Sequence, residues 1–280
     1  MINLAFPDFS FVDILKSCQD NDKRSYQNEI IIPRVNKIIL EFGRLYDRCA
    51  QTNNLHSCDL THFYLNEDIN YLEKLYSYRL QKTKEGRVYY DKIINDISDY
   101  CPYCNHGEIS QVDHFLPQSL YDSFTIYPNN LVPICAICNT TKDDYYGKDY
   151  SSNLLHPYFD NLNNSQWLFA HLIQNSRGKL IVEYTCNPDP NIYNDIDIAR
   201  IINHFNTLEL NKRFKNISRS QSRQIKYNLT RIIRMNNKSA KRAYIKREIN
   251  TNLRLHGFNH WNVALYQAFY EYEGNLADFI

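Results

Sequence analysis

The stretch that decides the reading begins Cys101-Pro-Tyr-Cys104 and continues Val112-Asp113-His114-Phe115-Leu116-Pro117. It then runs Asn129-Asn130-Leu131-Val132-Pro133-Ile134 and closes on Cys135-Ala-Ile-Cys138-Asn139-Thr140-Thr141-Lys142. Two CxxC pairs with thirty residues between them can each present two thiolates to one side, and together they complete a tetrahedral four-sulfur shell for a structural zinc ion. A pair of disulfides is the competing reading. It suits an oxidising compartment, and the N-terminus Met1-Ile2-Asn3-Leu4-Ala5-Phe6 has neither the basic start nor the small-residue cleavage site of a secretory signal. A cytoplasmic protein with reduced thiols is therefore expected, and no apolar run approaches the ~20 residues a membrane span needs.

Around this stretch the texture changes. Apolar residues recur at helical spacing over about residues 28–50, 60–80 and 88–100, which predicts a helical N-terminal part without catalytic signature. Residues 179–184 read as a strand, Pro188 and Pro190 interrupt the chain, and helical periodicity resumes near Ile196. From Leu208 the apolar stripe Leu210, Phe214, Ile217, Ile225, Leu229, Ile232 and Ile233 marks further helix. The expected architecture is mainly α with a small α+β insert. It falls into four segments: 1–99 helical, 100–160 the zinc module, 161–210 an α/β extension, and 211–280 a basic helical region.

Composition excludes several function classes. The seven glycines are scattered, so no GxGxxG, GxxxxGK or GxSxG can be written, and dinucleotide, P-loop and nucleophile-elbow chemistry are out. The formal charge of +1 hides an asymmetry: residues 211–256 hold fourteen basic residues and one acid, Glu248, so that stretch carries +13 and the remainder −12. Such asymmetry points to a polyanionic partner. The most prominent cations are Lys212, Arg213, Lys215, Arg219, Arg223, Lys226, Arg231 and Arg234. The plain alternative, the wet face of an amphipathic helix, is weakened by residues 100–150. That segment has two lysines against six acids and would by itself repel a phosphate backbone.

The Asp113-His114, Asn130 and Asn139 positions inside the cysteine frame resemble the HNH endonuclease family, the ββα-metal or His-Me finger nucleases, in its zinc-bearing form. The nine-residue step from Asn130 to Asn139 and the three further to Lys142 also look like the HNH domain of RNA-guided CRISPR nucleases. Further on, Leu155-His156-Pro157-Tyr158-Phe159-Asp160, Trp167-Leu168-Phe169-Ala170 and Asn203-His204-Phe205 resemble stand-alone bacterial HNH proteins.

The resemblance implies a ββα module in which His114 is the general base and Asp113 with Asn139 holds a catalytic Mg2+ or Mn2+. Asn130 would tie down the loop that orients His114, and Lys142 would neutralise phosphate charge. It further implies DNA as substrate, RNA being possible, and a setting in bacterial anti-phage systems beside an ABC- or SMC-like ATPase. Without a P-loop in this chain, ATP would act through that partner. A non-catalytic zinc-knuckle module that binds nucleic acid or protein is the alternative from another class.

Each residue also has a plain reading. A lone Asp-His pair is ordinarily structural, and asparagines serve turns and caps. Lys142 can be a solvated helix residue, and His156 and His204 packing residues. Cys58 and His62 sit four apart without a second pair, so Cys58, like Cys18, Cys49 and Cys186, reads as a buried thiol.

Overall fold

The computed structural model describes residues 2–19, 31–58, 66–234, 237–274 and 276–279; within these, the side chains of residues 38, 66, 67, 222, 223, 226, 229, 233, 277 and 278 are not described. The chain forms two compact units, Ile2–Asp160 and Asn161–Ile280. Among the described residues each contains one two-stranded antiparallel sheet in a helical surround. The mainly α architecture with small β pieces is the one the periodicity predicts.

In the first unit, α1 (Phe11–Gln19) starts on a reciprocal cap: Asp13 N donates to Ser10 Oγ while the Asp13 carboxylate accepts from Ser10 N and Oγ. α2 (Ile32–Gln51) begins with Pro33, whose missing N–H costs nothing in a first turn. α3 (Asn66–Lys74) runs into a π-helical segment, Leu75–Leu80, where unbroken helix was expected. α4 (Lys84–Asn95) is capped by Thr83, whose hydroxyl accepts from Gly86 N. Gly86 is required there, because a Cβ would lie 2.3 Å from the Arg79 carbonyl oxygen. Its helix ends at Asn95, short of the expected residue 100.

The hydrophobic faces of these helices do not close on themselves. Ile14, Leu15, Val35, Ile39, Leu72, Leu75, Leu80 and Ile93 share one core with Val112, Ile126 and Leu131 from the cysteine-rich segment. Two short strands lie on that core: β1 (Gln111–His114) pairs antiparallel with β2 (Leu131–Ile134), Asp113 opposite Val132 and His114 opposite Leu131. Val112 faces Pro133, which has no N–H to give, and the Val112 peptide groups turn to the helices instead. Tyr76 Oη donates to its carbonyl at 2.8 Å, and its N–H reaches Tyr90 Oη at 3.4 Å. α5 (Ala136–Lys142) follows β2 directly, starting at Cys135. The N-terminal helices are thus the bed on which the ββα segment rests.

In the second unit, β3 (Leu168–Gln174) and β4 (Leu180–Cys186) form a hairpin closed by Asn175 and by Gly178 at φ 73°. α6 (Asp195–Thr207) is capped by Asn194, and Glu209 at φ 48° separates it from α7 (Leu210–Ser220). α8 (Ser222–Arg234), α9 (Lys238–His256) and α10 (Trp261–Glu271) complete the unit. Asn259, between the last two helices, accepts from Trp167 N and Leu168 N and fixes the start of β3. No described helix is long and apolar enough to cross a membrane.

Candidate functional site

The four cysteines of the two CxxC pairs are brought together and buried, with all four sulfurs within 4.8 Å of one another. A tetrahedron with metal–sulfur bonds of ~2.3 Å has edges of ~3.8 Å, so this cluster can hold a metal ion such as zinc. Backbone amides already point at two sulfurs, Gly107 N at Cys104 and Cys138 N at Cys135, each at 3.4 Å. Neighbouring thiols hold Cys104 down at about 7 and push Cys135 further below the ordinary thiol range. Burial raises Cys101, and Cys101 beside it raises Cys138. Four thiols this close cannot all ionise without a cation among them; a divalent ion removes that conflict.

β1 then sets two chemistries on opposite faces, because alternate residues of a strand point to opposite sides. Val112 and His114 face the helical core. The His114 ring packs on Tyr76 at 4.3 Å between centroids, and the π-helical segment places that tyrosine. His114 Nε2 lies 2.8 Å from the Thr125 carbonyl oxygen. A carbonyl only accepts, so Nε2 carries the proton and Nδ1 keeps its lone pair. Among the described residues Nδ1 has no hydrogen-bond partner. Burial lowers the pKa of His114 below its ordinary 6.5, which favours the neutral ring with an unprotonated nitrogen at neutral pH.

Gln111 and Asp113 face α5 instead. Asn139 and Lys142, one turn apart on that helix, reach back to the same two strand residues: Asn139 Nδ2 donates to Gln111 Oε1 at 2.6 Å, and Lys142 Nζ sits 2.9 Å from Asp113 Oδ2. This pairing turns the amide nitrogen of Asn139 toward the strand and leaves its Oδ1, like Asp113 Oδ1, without a hydrogen-bond partner among the described residues. Two hard oxygens side by side suit a magnesium-type ion that keeps most of its water.

Lys142 departs from the role the resemblance implies. Its side chain is only 1% exposed, and besides its ion pair with Asp113 it donates a hydrogen bond to the His114 carbonyl at 2.9 Å. An ammonium so enclosed ties the end of α5 under β1 and is not presented to a phosphate. The helix ends on Asp143 at φ 48°, ψ −138°, a conformation that glycine favours, so backbone strain is concentrated beside this lysine.

Asn130 is fully buried and uses every valence. Its Oδ1 accepts from Leu116 N at 2.8 Å and Tyr46 Oη at 3.0 Å, while its Nδ2 donates to the Leu116 and Phe124 carbonyls, both at 3.2 Å. It therefore staples both ends of the loop that follows His114, and Thr125, whose carbonyl holds the histidine, is the next residue after Phe124. The staple is itself held. Tyr158 N donates to His156 Nδ1 at 3.2 Å, so His156 Nε2 bears the proton and donates to Tyr46 Oη at 2.9 Å; Tyr46 passes its own proton to Asn130. His156 is accordingly a buried connector.

Gln111, Thr125 and Tyr46 were not singled out from the sequence. Strand alternation puts Gln111 on the face of Asp113 and could have found it. Tyr46 lies 84 residues before its partner Asn130, and nothing in its neighbourhood marks it.

The basic residues divide. Arg213 is buried, which removes it from any solvent-facing phosphate contact, because α7 packs that face against the sheet. Lys212 pairs with Glu209 at 2.7 Å and Lys215 with Glu183. Arg219, Arg231 and Arg234 are exposed, while the side chains of Arg223 and Lys226 lie outside the described residues, as does His62. Cys18 and Cys58 are buried, and Cys18 and Cys186 are pushed up to about 12 by burial, as inert thiols are.

No family model matches the chain, and no solved structure matches it. Protein ea31 of Escherichia phage lambda is 29% identical over 211 residues, covering 70% of each chain.

Proposed function

We propose that this chain is a metal-dependent HNH endonuclease that hydrolyses phosphodiester bonds in DNA, its ββα module held together by zinc on Cys101, Cys104, Cys135 and Cys138. The observation that carries the reading is the state of His114: Nε2–H is committed to the Thr125 carbonyl, and the free lone pair sits on Nδ1 of a ring kept neutral by burial. That is the disposition of a general base. In this reading His114 Nδ1 takes the proton of the attacking water, which requires the chain to bend at His114, the last residue of β1, so that it and Asp113 address one phosphate. Asn130 holds the loop so that the imidazole cannot swing. Asp113 Oδ1 and Asn139 Oδ1 would hold a Mg2+ or Mn2+ ion, which when bound supplies Lewis-acid stabilisation of the leaving oxygen. Gln111 turns Asn139 so that its oxygen is available, and Lys142 fixes the carboxylate of Asp113 from behind. The products expected are 5′-phosphate and 3′-hydroxyl ends.

The setting in a bacterial anti-phage system beside an ABC- or SMC-like ATPase rests on the resemblance of the motif. A second reading, a zinc-knuckle module that binds without cutting, is favoured by one observation: the Lys142 ammonium already neutralises Asp113.

Purified protein incubated with supercoiled plasmid and magnesium separates the two. The expected result is nicking that falls about 10²–10⁴-fold in His114→Ala, with RNA cleaved more slowly. Equal nicking by the variant, or none by either protein with the ATPase supplied, favours the binding module.

A further inference from the structure

The basic region is not uniform, and α9 is built against its own electrostatics. Along α9, Lys238, Arg242, Lys246, Asn250 and Arg254 follow one another every fourth residue, and all five are exposed. They form one i, i+4 ridge some ~24 Å long at 1.5 Å per residue. Like charges four apart repel on a helix, and cations in a first turn oppose the helix dipole. α9 accepts both penalties: Lys238, Lys241 and Arg242 open it with no acid in the first turn. Its single acid, Glu248, is off the ridge and beside Arg247. An ordinary solvated helix would interleave acids at these positions.

Two of the arginines are also pre-arranged. Arg242 lies over the Tyr270 ring at 4.5 Å and Arg247 over Tyr244 at 5.1 Å. Arg242 also hydrogen-bonds the Tyr270 hydroxyl, and a guanidinium held in this way keeps further N–H donors and loses less freedom when it binds an oxyanion. On α7, by contrast, Lys212 and Lys215 are paired with Glu209 and Glu183, and Arg213 is buried.

We propose that the α9 ridge formed by Lys238, Arg242, Lys246 and Arg254, with Arg247 beside it, is a docking surface for the phosphate backbone of a duplex nucleic acid. A linear row of cations with only Asn250 interrupting it matches a linear row of phosphates. A helix that lies in a lipid surface has a row of exposed apolar residues opposite its cations, whereas the one large apolar side chain strongly exposed on α9 is Leu255 in its last turn. The surface deepens the endonuclease reading by naming where its substrate is held, but it is defined by binding and not by cleavage.

The test uses full-length protein carrying His114→Ala, without added divalent metal, and follows fluorescence anisotropy of a labelled 30-base-pair DNA duplex across a salt series. Lys238→Glu/Arg242→Glu/Lys246→Glu is expected to weaken binding at least ~10-fold and to lower the salt slope by ~2.7, at ~0.9 per lost contact. The control Lys212→Glu/Arg219→Glu is expected to change affinity less than ~3-fold. The corresponding Gln variants replace the Glu set if circular dichroism shows it unfolded. Binding by the triple variant equal to the parent, an equal loss in the control, or α9-dependent capture of phosphatidylserine vesicles without duplex binding would each overturn the proposal. A duplex RNA arm identifies which nucleic acid is preferred. Because the protein tested does not cut, failure of cleavage and failure of this surface are read separately.

Discussion

The two compact units treat charge in opposite ways. The unit Ile2–Asp160 has fifteen basic and twenty-two acidic residues, yet its most informative polar groups, His114, Asn130, Lys142 and His156, are buried and committed to named partners. The unit Asn161–Ile280 has seventeen basic and nine acidic residues, and most of its excess charge lies at the surface. Most buried polar groups are hydrogen-bonded, so the first arrangement specifies one geometry. A surface row of cations specifies a charge density and little else. Orientation of reacting groups needs the first kind, and holding a polymer needs the second.

The contrast breaks most completely if the cysteine cluster is emptied. Zinc binding by such clusters contributes about 10–16 kcal/mol, so one zinc per chain is expected by metal analysis. Chelation at neutral pH should then release amide protection across residues 101–142 while α9 and α10 keep theirs in hydrogen exchange. Undiminished protection after complete metal loss would show that the hydrophobic core alone holds the module.

Breaking the buried ion pair comes next. Lys142→Met leaves the Asp113 carboxylate without its counter-charge and should cost about 3–5 kcal/mol in denaturant unfolding. Adding Asp113→Asn should return much of it. Lys246→Met on α9, exposed and unpaired, is expected to shift stability by less than about 0.5 kcal/mol. Equal costs for the two lysines would erase the distinction between the units.

A smaller step tests the staple. Tyr46→Phe removes one hydroxyl and leaves His156 Nε2–H without its acceptor, at a cost of about 1–3 kcal/mol. If the network orients His114, the same variant should loosen the His114 Nε2–H, seen as faster exchange of that ring proton by NMR. A stability loss with an unchanged ring signal would confine Tyr46 to packing.

The smallest effect belongs to the basic unit. The Lys215 ammonium holds the Glu183 carboxyl below its ordinary range. A carboxylate with a depressed folded-state pKa adds stability that is complete above the unfolded value of about 4.3 and is lost as pH falls through the folded value. Glu183→Gln should therefore flatten the acid limb of the stability curve, slightly and less at high salt. An unchanged limb would mean the pair contributes nothing.

Much of this was legible in the chain itself. The CxxC spacing placed four sulfurs together because each knuckle is a local turn, and the helical periodicity of residues 28–50 and 208–233 carried through to α2, α7 and α8, where Val35, Ile39, Phe214, Ile217, Ile225 and Ile232 are buried. Boundaries moved where local rules compete: Gln221 divides the helical stretch expected from Leu208 into α7 and α8, and a π-helical segment interrupts the helix expected over 60–80. The strand partner β3 was not expected from periodicity, because its burial alternates only over its first residues.

Within the candidate site, the sequence alone determined which residues are candidates, since Asp-His, Asn and the cysteines are read from type and spacing. Which nitrogen of His114 carries the proton, which end of Asn139 faces the strand, and that Lys142 lies inside were decided by tertiary structure. The physical reason is that each depends on a partner distant in sequence: Thr125 carbonyl for His114, Gln111 for Asn139, Asp113 for Lys142 and Tyr46 for Asn130. A spacing rule reports what a residue can donate or accept. Only the folded chain decides what it meets, because an unsatisfied buried polar group is costly and the partner that removes the cost lies elsewhere in the chain.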